Sequence, residues 1–319
     1  MVRPRRPRLT AASVLALYYS EIYSQAISEE ARFPRHRYQM VRAELERRQV
    51  PATFRAPPEV TAAELSQVHD PNYVQAFLEE RLDEKAQRRI GLTPWNRLTL
   101  PRTLQLIGGS LAATRHALQT HGFAGNLGGG THHAHRDFGS GFCVFNDLAV
   151  AAAAAIKEQG LTRILIVDLD VHQGDGTAAI FRDEPRVFTF SVHCGKNFPF
   201  RKQRSDLDVE LPVGAGDAEY LAALEQHLPQ LFFAQRPELV LYQAGVDPLA
   251  SDHLGKLSLS RAGLAERNER VYRLAAEAQV PLVILMGGGY SRPLTRSIEC
   301  HADVFEQAAK WASPGIVTL

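Results

Sequence analysis

Within ten residues, 168–177, the chain reads DLDVHQGDGT. Asp168, Asp170, His172 and Asp175 crowd together there, just after the apolar run Ile164-Leu165-Ile166-Val167, which reads as a buried strand. Asp168, Asp170 and His172 occupy alternate positions, so on a continuing strand all three point to one side. Two carboxylates and an imidazole converging in this way suit a divalent metal. Aspartate and glycine also make solvated turns. The metal reading therefore needs a third ligand, an acid–base group and an oxyanion partner from elsewhere in the chain.

Asp247, in QAGVDP, is the natural third ligand, because it follows an apolar run and precedes a proline that keeps the chain extended or turning. Asp170, His172 and Asp247 would form an Asp2His set with positions left open, the pattern of a catalytic zinc site. Its carboxylate content leaves Fe(II) as an alternative. His132 and His133 follow three glycines and a threonine, and in a loop both rings can turn towards the metal. One of them is expected to act as general base and then acid. Asp168 and Asp175 are available to fix the ring tautomers. Tyr290, in GGGY, brings a phenol able to donate to a developing oxyanion. Cys143 has no base of its own and reads as pocket wall, not nucleophile.

These residues need a scaffold that brings distant segments together. Strand-like runs are expected at 14–18, 53–55, 123–127, 163–169, 187–192, 208–211, 238–243 and 282–286. Helical patterns fall at 37–48, 70–82, 103–120, 216–233, 261–279 and 294–311. Asp70-Pro71 reads as N-cap and first helical residue, Asn146 as the cap of an alanine-rich helix, and Gly160 as its end. Alternating strands and helices predict one α/β domain with a parallel sheet covered on both faces. The chemically interesting residues all lie just past strand ends, which in such a sheet share one edge. Residues 83–102 mix charge with Gly91, Pro94 and Trp95 and are expected to be a surface loop that shapes a pocket mouth.

Composition narrows the function classes. A formal net charge of +1 gives no global field for nucleic acid or anionic membrane. The longest apolar stretch, 148–156, is too short to span a bilayer. Three widely spaced cysteines, Cys143, Cys194 and Cys300, make no disulfide framework and no CxxC, so a reducing cytoplasm is expected. Arg3, Arg5, Arg6 and Arg8 mark residues 1–12 as a frayed basic tail, with an organelle-targeting or polyanion-binding arm as the alternative.

Five segments together resemble one family. GGGTHHA (128–134), GFCVFND (141–147), DLDVHQGDGT (168–177), QAGVDPLASDHLGKL (243–257) and GGGY (287–290) look like the motifs of zinc-dependent histone deacetylase-like amidohydrolases, in order and spacing over about residues 13–312. NFPFRK (197–202) is similar to the small class IV-type branch and its bacterial relatives. The resemblance implies a single-domain, three-layer arginase/deacetylase α/β fold over 13–319, with a mostly parallel eight-stranded sheet flanked by helices. It implies one Zn2+ on Asp170, His172 and Asp247, with His132 paired to Asp168 and His133 to Asp175. His133 would be the principal base and acid, His132 an electrostatic helper, and Tyr290 the group that polarises the amide carbonyl. Gly141, Phe142, Phe198 and Gly288 would line an acyl-lysine channel, and Arg37 would stand at a product exit. K+ is implied near Asp168, the backbone of His172 and Ser191. The substrate would be an acetylated lysine in a protein or an acetylated small amine, with no nucleic acid or membrane partner.

Two departures from the family pattern stand out. Loop 83–102 supplies no clear aspartate for a substrate backbone, and the chain has no long insertions that mark a particular substrate. A dimanganese ureohydrolase would need further carboxylates, yet Gly174 and Gly245 stand where it would carry aspartate. A non-catalytic acyl-lysine binding module is the alternative from another class. Both histidines, the metal set and Tyr290 argue against it.

Overall fold

The apolar runs become eight strands: β1 (Leu15–Tyr18), β2 (Ala52–Arg55), β3 (Phe123–Asn126), β4 (Ile164–Asp168), β5 (Val187–Cys194), β6 (Leu207–Leu211), β7 (Leu239–Gln243) and β8 (Leu282–Leu285). The structure, a computed structural model, describes residues 14–312; the basic tail expected over 1–12 lies outside them. The strands form one sheet in the order β2-β1-β3-β8-β7-β4-β5-β6. Every neighbouring pair is parallel, so the sheet is wholly and not just mostly parallel. All residues of β3, β4, β7 and β8 are buried, as they must be when helices cover both faces. The edge strands β2 and β6 are only half-buried.

The register explains how a site can form. Asn126 pairs with Leu285, Leu285 with Gln243, Gln243 with Asp168, and Asp168 with Ser191. Four adjacent strands, β3, β8, β7 and β4, therefore end on one line, and the loops after them emerge side by side. Chain order alone would not do this, because β3 and β4 are consecutive strands held apart by β8 and β7.

Several helix boundaries follow their local signals. Asp70 caps Pro71–Leu78, accepting from the N–H groups of Asn72 and Tyr73 at 2.8 and 3.3 Å. That helix stops at Leu78, short of the expected 82. Asn146 caps Asp147–Gln159, and Gly160 ends it in the left-handed conformation. The region 83–102 departs from expectation. Glu84–Ile90 is a helix, capped by Asp83 and closed by Gly91 at φ 86°. The next helix starts at Thr99, not 103, and takes Pro101 into its first turn, where proline costs no hydrogen bond. Only Ile90 of the short helix is buried, so it has no apolar periodicity to reveal it. Its end nevertheless lines the main pocket, as expected of a mouth-shaping segment.

Candidate functional site

β4 ends at Asp168, so Asp170 and His172 do not continue it as alternating strand residues. A bend does the converging. The Asp170 N–H donates to Asp168 Oδ1 (3.2 Å), and the His172 N–H donates to Asp170 Oδ1 (3.0 Å). From the neighbouring strand end, Asp247 Oδ1 accepts from the Val171 N–H at 2.9 Å. From the loop after β8, the Gly288 N–H donates to Asp170 Oδ2 at 2.9 Å. Each carboxylate is thus aimed by backbone groups.

His172 Nδ1 lies 2.9 Å from Asp170 Oδ1 and 3.2 Å from Asp247 Oδ2. Donor atoms of Asp170, His172 and Asp247 all fall within 4.8 Å of one another, the one such cluster among the described residues. Burial lowers the affinity of His172 for a proton, but Asp170 and Asp247 outweigh it and push the imidazole up to about 10. Burial, with the charge of Asp170, pushes the Asp247 carboxyl up to about 7. Asp247 Oδ2 is wholly buried and, although His172 Nδ1 lies 3.2 Å away, makes no well-aligned hydrogen bond. An orphaned carboxylate oxygen beside an imidazole and a second carboxylate fits a divalent cation. Side chains at the two glycines beside this cluster would crowd the carboxylates already there. A Cβ at Gly245 would overlap the Asp170 carboxylate, and one at Gly174 would overlap that of Asp168.

The histidines come from the loop after β3. Asp147 pins this loop, accepting from the N–H groups of Gly130 (3.0 Å) and Thr131 (2.7 Å). Asn146 braces it through the Ala134 carbonyl at 3.2 Å. His132 Nδ1 meets Asp168 Oδ2 at 2.7 Å, and His133 Nδ1 meets Asp175 Oδ1 at 2.6 Å. The two Nε2 atoms face each other at 3.1 Å, so one ring donates and the other accepts. Burial lowers His132, but Asp168 and Asp170 raise it further, to about 9. Burial and the charge of His132 hold His133 down at about 4, against the opposing pull of Asp175. Two rings this close cannot both be cationic, and their surroundings make His132 the more basic of the two. His135 also bonds Asp175, through Nε2 to Oδ2 at 3.0 Å, a contact the sequence reading missed.

Above these groups lies a cavity of about 400 Å³. Gly141, Phe142, Phe198, Gly288 and Tyr290 all line it. Phe198 stands edge-on to His133 with ring centroids 4.9 Å apart. Tyr290 is 8% exposed, its ring 5.8 Å from that of Phe142, and burial pushes its phenol well above the usual range. Its N–H donates to Asp252 Oδ2 at 2.5 Å, and its carbonyl accepts from His253. Arg37 is buried against the rings of Phe33, Tyr38 and Tyr290 and donates to the Gly289 carbonyl at 3.3 Å. Cys143 lines the cavity, its thiol pushed up by burial. Asp168 and Ser191, expected beside K+, share a void of about 10 Å³ that His172 does not line.

Sequence reasoning missed Phe33, Asn197, Gln243 and Asp252. Phe33 joins the wall from a distant loop. Asn197 links the His172 side to the rim: its Nδ2 lies 3.4 Å from His172 Nε2 and donates to the Leu254 carbonyl at 2.6 Å. Gln243 bonds the Gly130 carbonyl at 2.9 Å. Gln243 and Asp252 lie inside the segment 243–257, so attention to polar residues flanking Asp247 would have found them.

Among known proteins, the model of the histone deacetylase domain matches residues 31–305. The chain is 46% identical to an uncharacterised protein of Picosynechococcus sp., over 89% of this chain and 95% of that one. It is 34% identical to histone deacetylase 2 of Arabidopsis thaliana, over 80% of this chain and 67% of that one. It is also 34% identical to the polyamine deacetylase HDAC10 of Mus musculus, but spans only 39% of that protein's length. The solved HDA15 HD domain superposes with a TM-score of 0.79 at 24% identity, covering 96% of this chain and 91% of that one, which shows the shared fold. No helix among the described residues is long and apolar enough to cross a membrane.

Proposed function

The chain belongs to the histone deacetylase family, and from that premise we propose that it is a one-zinc deacetylase hydrolysing the amide of acetyl-lysine or a related N-acyl amine to the free amine and a carboxylate. One observation carries this reading. Two oppositely tuned His–Asp pairs stand beside an Asp2His cluster at the base of an apolar channel.

Asp170, His172 and Asp247 would hold Zn2+, and Fe2+ suits the same donors. A divalent ion there supplies Lewis-acid polarisation of the amide carbonyl. The protein's own groups do the rest. Neutral His133, oriented by Asp175, takes the proton of the attacking water. His132 carries positive charge next to the reacting centre, held by Asp168. The Tyr290 O–H donates to the oxyanion as the carbonyl carbon becomes tetrahedral. When the C–N bond breaks, the proton on His133 passes to the leaving nitrogen. Phe142, Phe198, Gly141 and Gly288 would enclose the acyl-lysine stem and keep bulk water from the amide. Arg37 would stand on the path by which the carboxylate leaves. A K+ ion beside Asp168 and Ser191, a catalytic domain over 13–319 and a cytoplasmic location belong to the same reading. All three cysteines are free and buried, in keeping with a reducing compartment.

The test is a substrate panel. Zinc-loaded protein is incubated with acetyl-lysine peptides, longer-acyl-lysine peptides and acetylated polyamines, and carboxylate release is measured. Release from at least one class is expected. Saturable binding of acyl-lysine without turnover would overturn the reading in favour of a binding module.

A further inference from the structure

The mouth of the cavity carries positive charge that the proposed reaction does not use. Arg89 and Lys256 line it, and both are exposed. Neither forms an ion pair among the described residues, whereas Arg88, one residue before Arg89, is paired with Glu84 at 2.9 Å. Each cation is nevertheless held in place. Arg89 Nε donates to the Gly139 carbonyl at 3.1 Å, and its guanidinium lies 4.2 Å over the Phe138 ring. The following residue, Ile90, accepts from the N–H of the wall residue Phe142 at 2.6 Å. Lys256 Nζ donates to the Lys196 carbonyl at 2.9 Å, and its backbone N–H is tied to Asn197 Oδ1 at 2.9 Å. Asn197 also reaches His172, so this cation is fixed relative to the floor. Both heads keep donors free for a ligand.

Negative charge is placed quite differently. The carboxylates lining the cavity are Asp170 and Asp247, both on its floor and essentially inaccessible. Glu210, behind the loop that carries Phe198, faces His193 at 3.9 Å and does not line the cavity. Lys196 and Arg201 on that loop are exposed and form no ion pair among the described residues, and like Glu210 they do not line the cavity. The same cavity lining includes two exposed apolar side chains, Phe200 at 87% exposure and Leu254 at 37%.

We propose that Arg89 and Lys256 form a carboxylate-recognition rim, and that the preferred substrate is a protein acyl-lysine flanked by aspartate or glutamate. The proposal rests on the deacylase reading above and names its substrate class. An acyl-lysine stem that fills the channel leaves its backbone at the rim, where flanking side chains meet the two cations. Carboxylates there gain charge-assisted hydrogen bonds and faster encounter. Cationic flanks, and polyamines with further ammonium groups, meet like charge instead. The rim would set this chain apart from a relative named as a polyamine deacetylase.

The experiment compares three acetyl-lysine peptides, with aspartate, alanine or lysine on both sides, and N-acetylspermidine. At low ionic strength kcat/KM for the aspartate peptide should exceed that for the lysine peptide by about tenfold. The ratio should shrink at about 0.5 M salt, because exposed pairs are screened. In the double variant Arg89→Glu, Lys256→Glu the order of the two charged peptides should reverse; in Arg89→Lys, Lys256→Arg it should persist. Equal rates for the two charged peptides, or better hydrolysis of N-acetylspermidine than of the aspartate peptide, would overturn the rim. The alanine peptide reports on the deacylase reading by itself. If no peptide turns over, fluorescence anisotropy of the labelled charged peptides still decides the rim: tighter binding of the aspartate peptide supports it, and equal binding refutes it.

Discussion

The floor and the rim of the cavity are built on opposite rules. On the floor every ionisable group is buried, and His132, His133, Asp168, Asp170, Asp175 and His172 each meet an oppositely charged or polar partner within 3.2 Å. At the rim, Arg89 and Lys256 are exposed and unpaired, and Phe200 is almost fully open to solvent. A buried network tolerates no loss of a member, because the abandoned partner stays desolvated. An exposed cation is worth little until a ligand arrives. On the proposed reading, the floor would determine which bond is broken and the rim whose bond it is.

This contrast can be broken by substitutions that rank by depth. Asp247→Asn keeps an acceptor for the Val171 N–H but removes the carboxylate charge. It should reduce both zinc retained after dialysis and turnover to background; a fully zinc-loaded, active variant would show that the cluster is not the metal site. His133→Ala should lower kcat by about three orders of magnitude, the scale of lost general acid–base catalysis, with zinc content unchanged. Near-normal turnover there would move the base elsewhere.

The next effect concerns stability. His69 is wholly buried, with Nδ1 donating to the His135 carbonyl at 3.0 Å and Nε2 accepting from the Asn146 N–H at 2.9 Å. The ring is used in its neutral form, and burial holds its pKa at about 4. An unfolded histidine, near 6.5, binds a proton more readily. The stability this neutral ring contributes is therefore complete above about pH 6.5 and is lost as pH falls towards about 4, ~3 kcal/mol in all. Thermal unfolding between these limits should show the fall, and His69→Gln should make it less steep; an unaltered slope would remove His69 from the account. The smallest effect belongs nearest the surface. Phe198→Ala should raise KM by about tenfold or less while kcat stays within about threefold, since the loss is mainly apolar contact with the substrate stem. A collapse in kcat would place Phe198 with the floor.

The floor was also the part most legible in the sequence. Asp168, Asp170 and His172 stood out because charged residues directly after ILIV have few structural reasons to be there, and strand-end logic extended this to Asp247, His132, His133 and Tyr290. The structure brings all of them together, although a bend and not strand alternation turns Asp170 and His172 inwards. The rim was hidden for a physical reason. The helix Glu84–Ile90 is largely exposed and carries no periodic apolar signal, so Arg89 looked like any surface arginine. Phe33 and Lys256 owe their positions to tertiary contacts that leave no local pattern. Only the caps Asp83 and Gly91 announced that helix, and they sat within a segment dominated by charge.

The strand order has a consequence for biosynthesis. Among the described residues β8 is the last strand to be made, yet it lies between β3 and β7. Until it inserts, the histidine loop and the Asp247 loop stand on separate partial sheets, each with an open edge that invites wrong pairing. A ribosome that has reached residue 281 has already supplied Asp170, His172, Asp247, His132 and His133, though not Tyr290, and still no assembled site. Catalytic competence should therefore arrive abruptly and late, as the final strand closes the gap, so the nascent chain is inert through most of its synthesis.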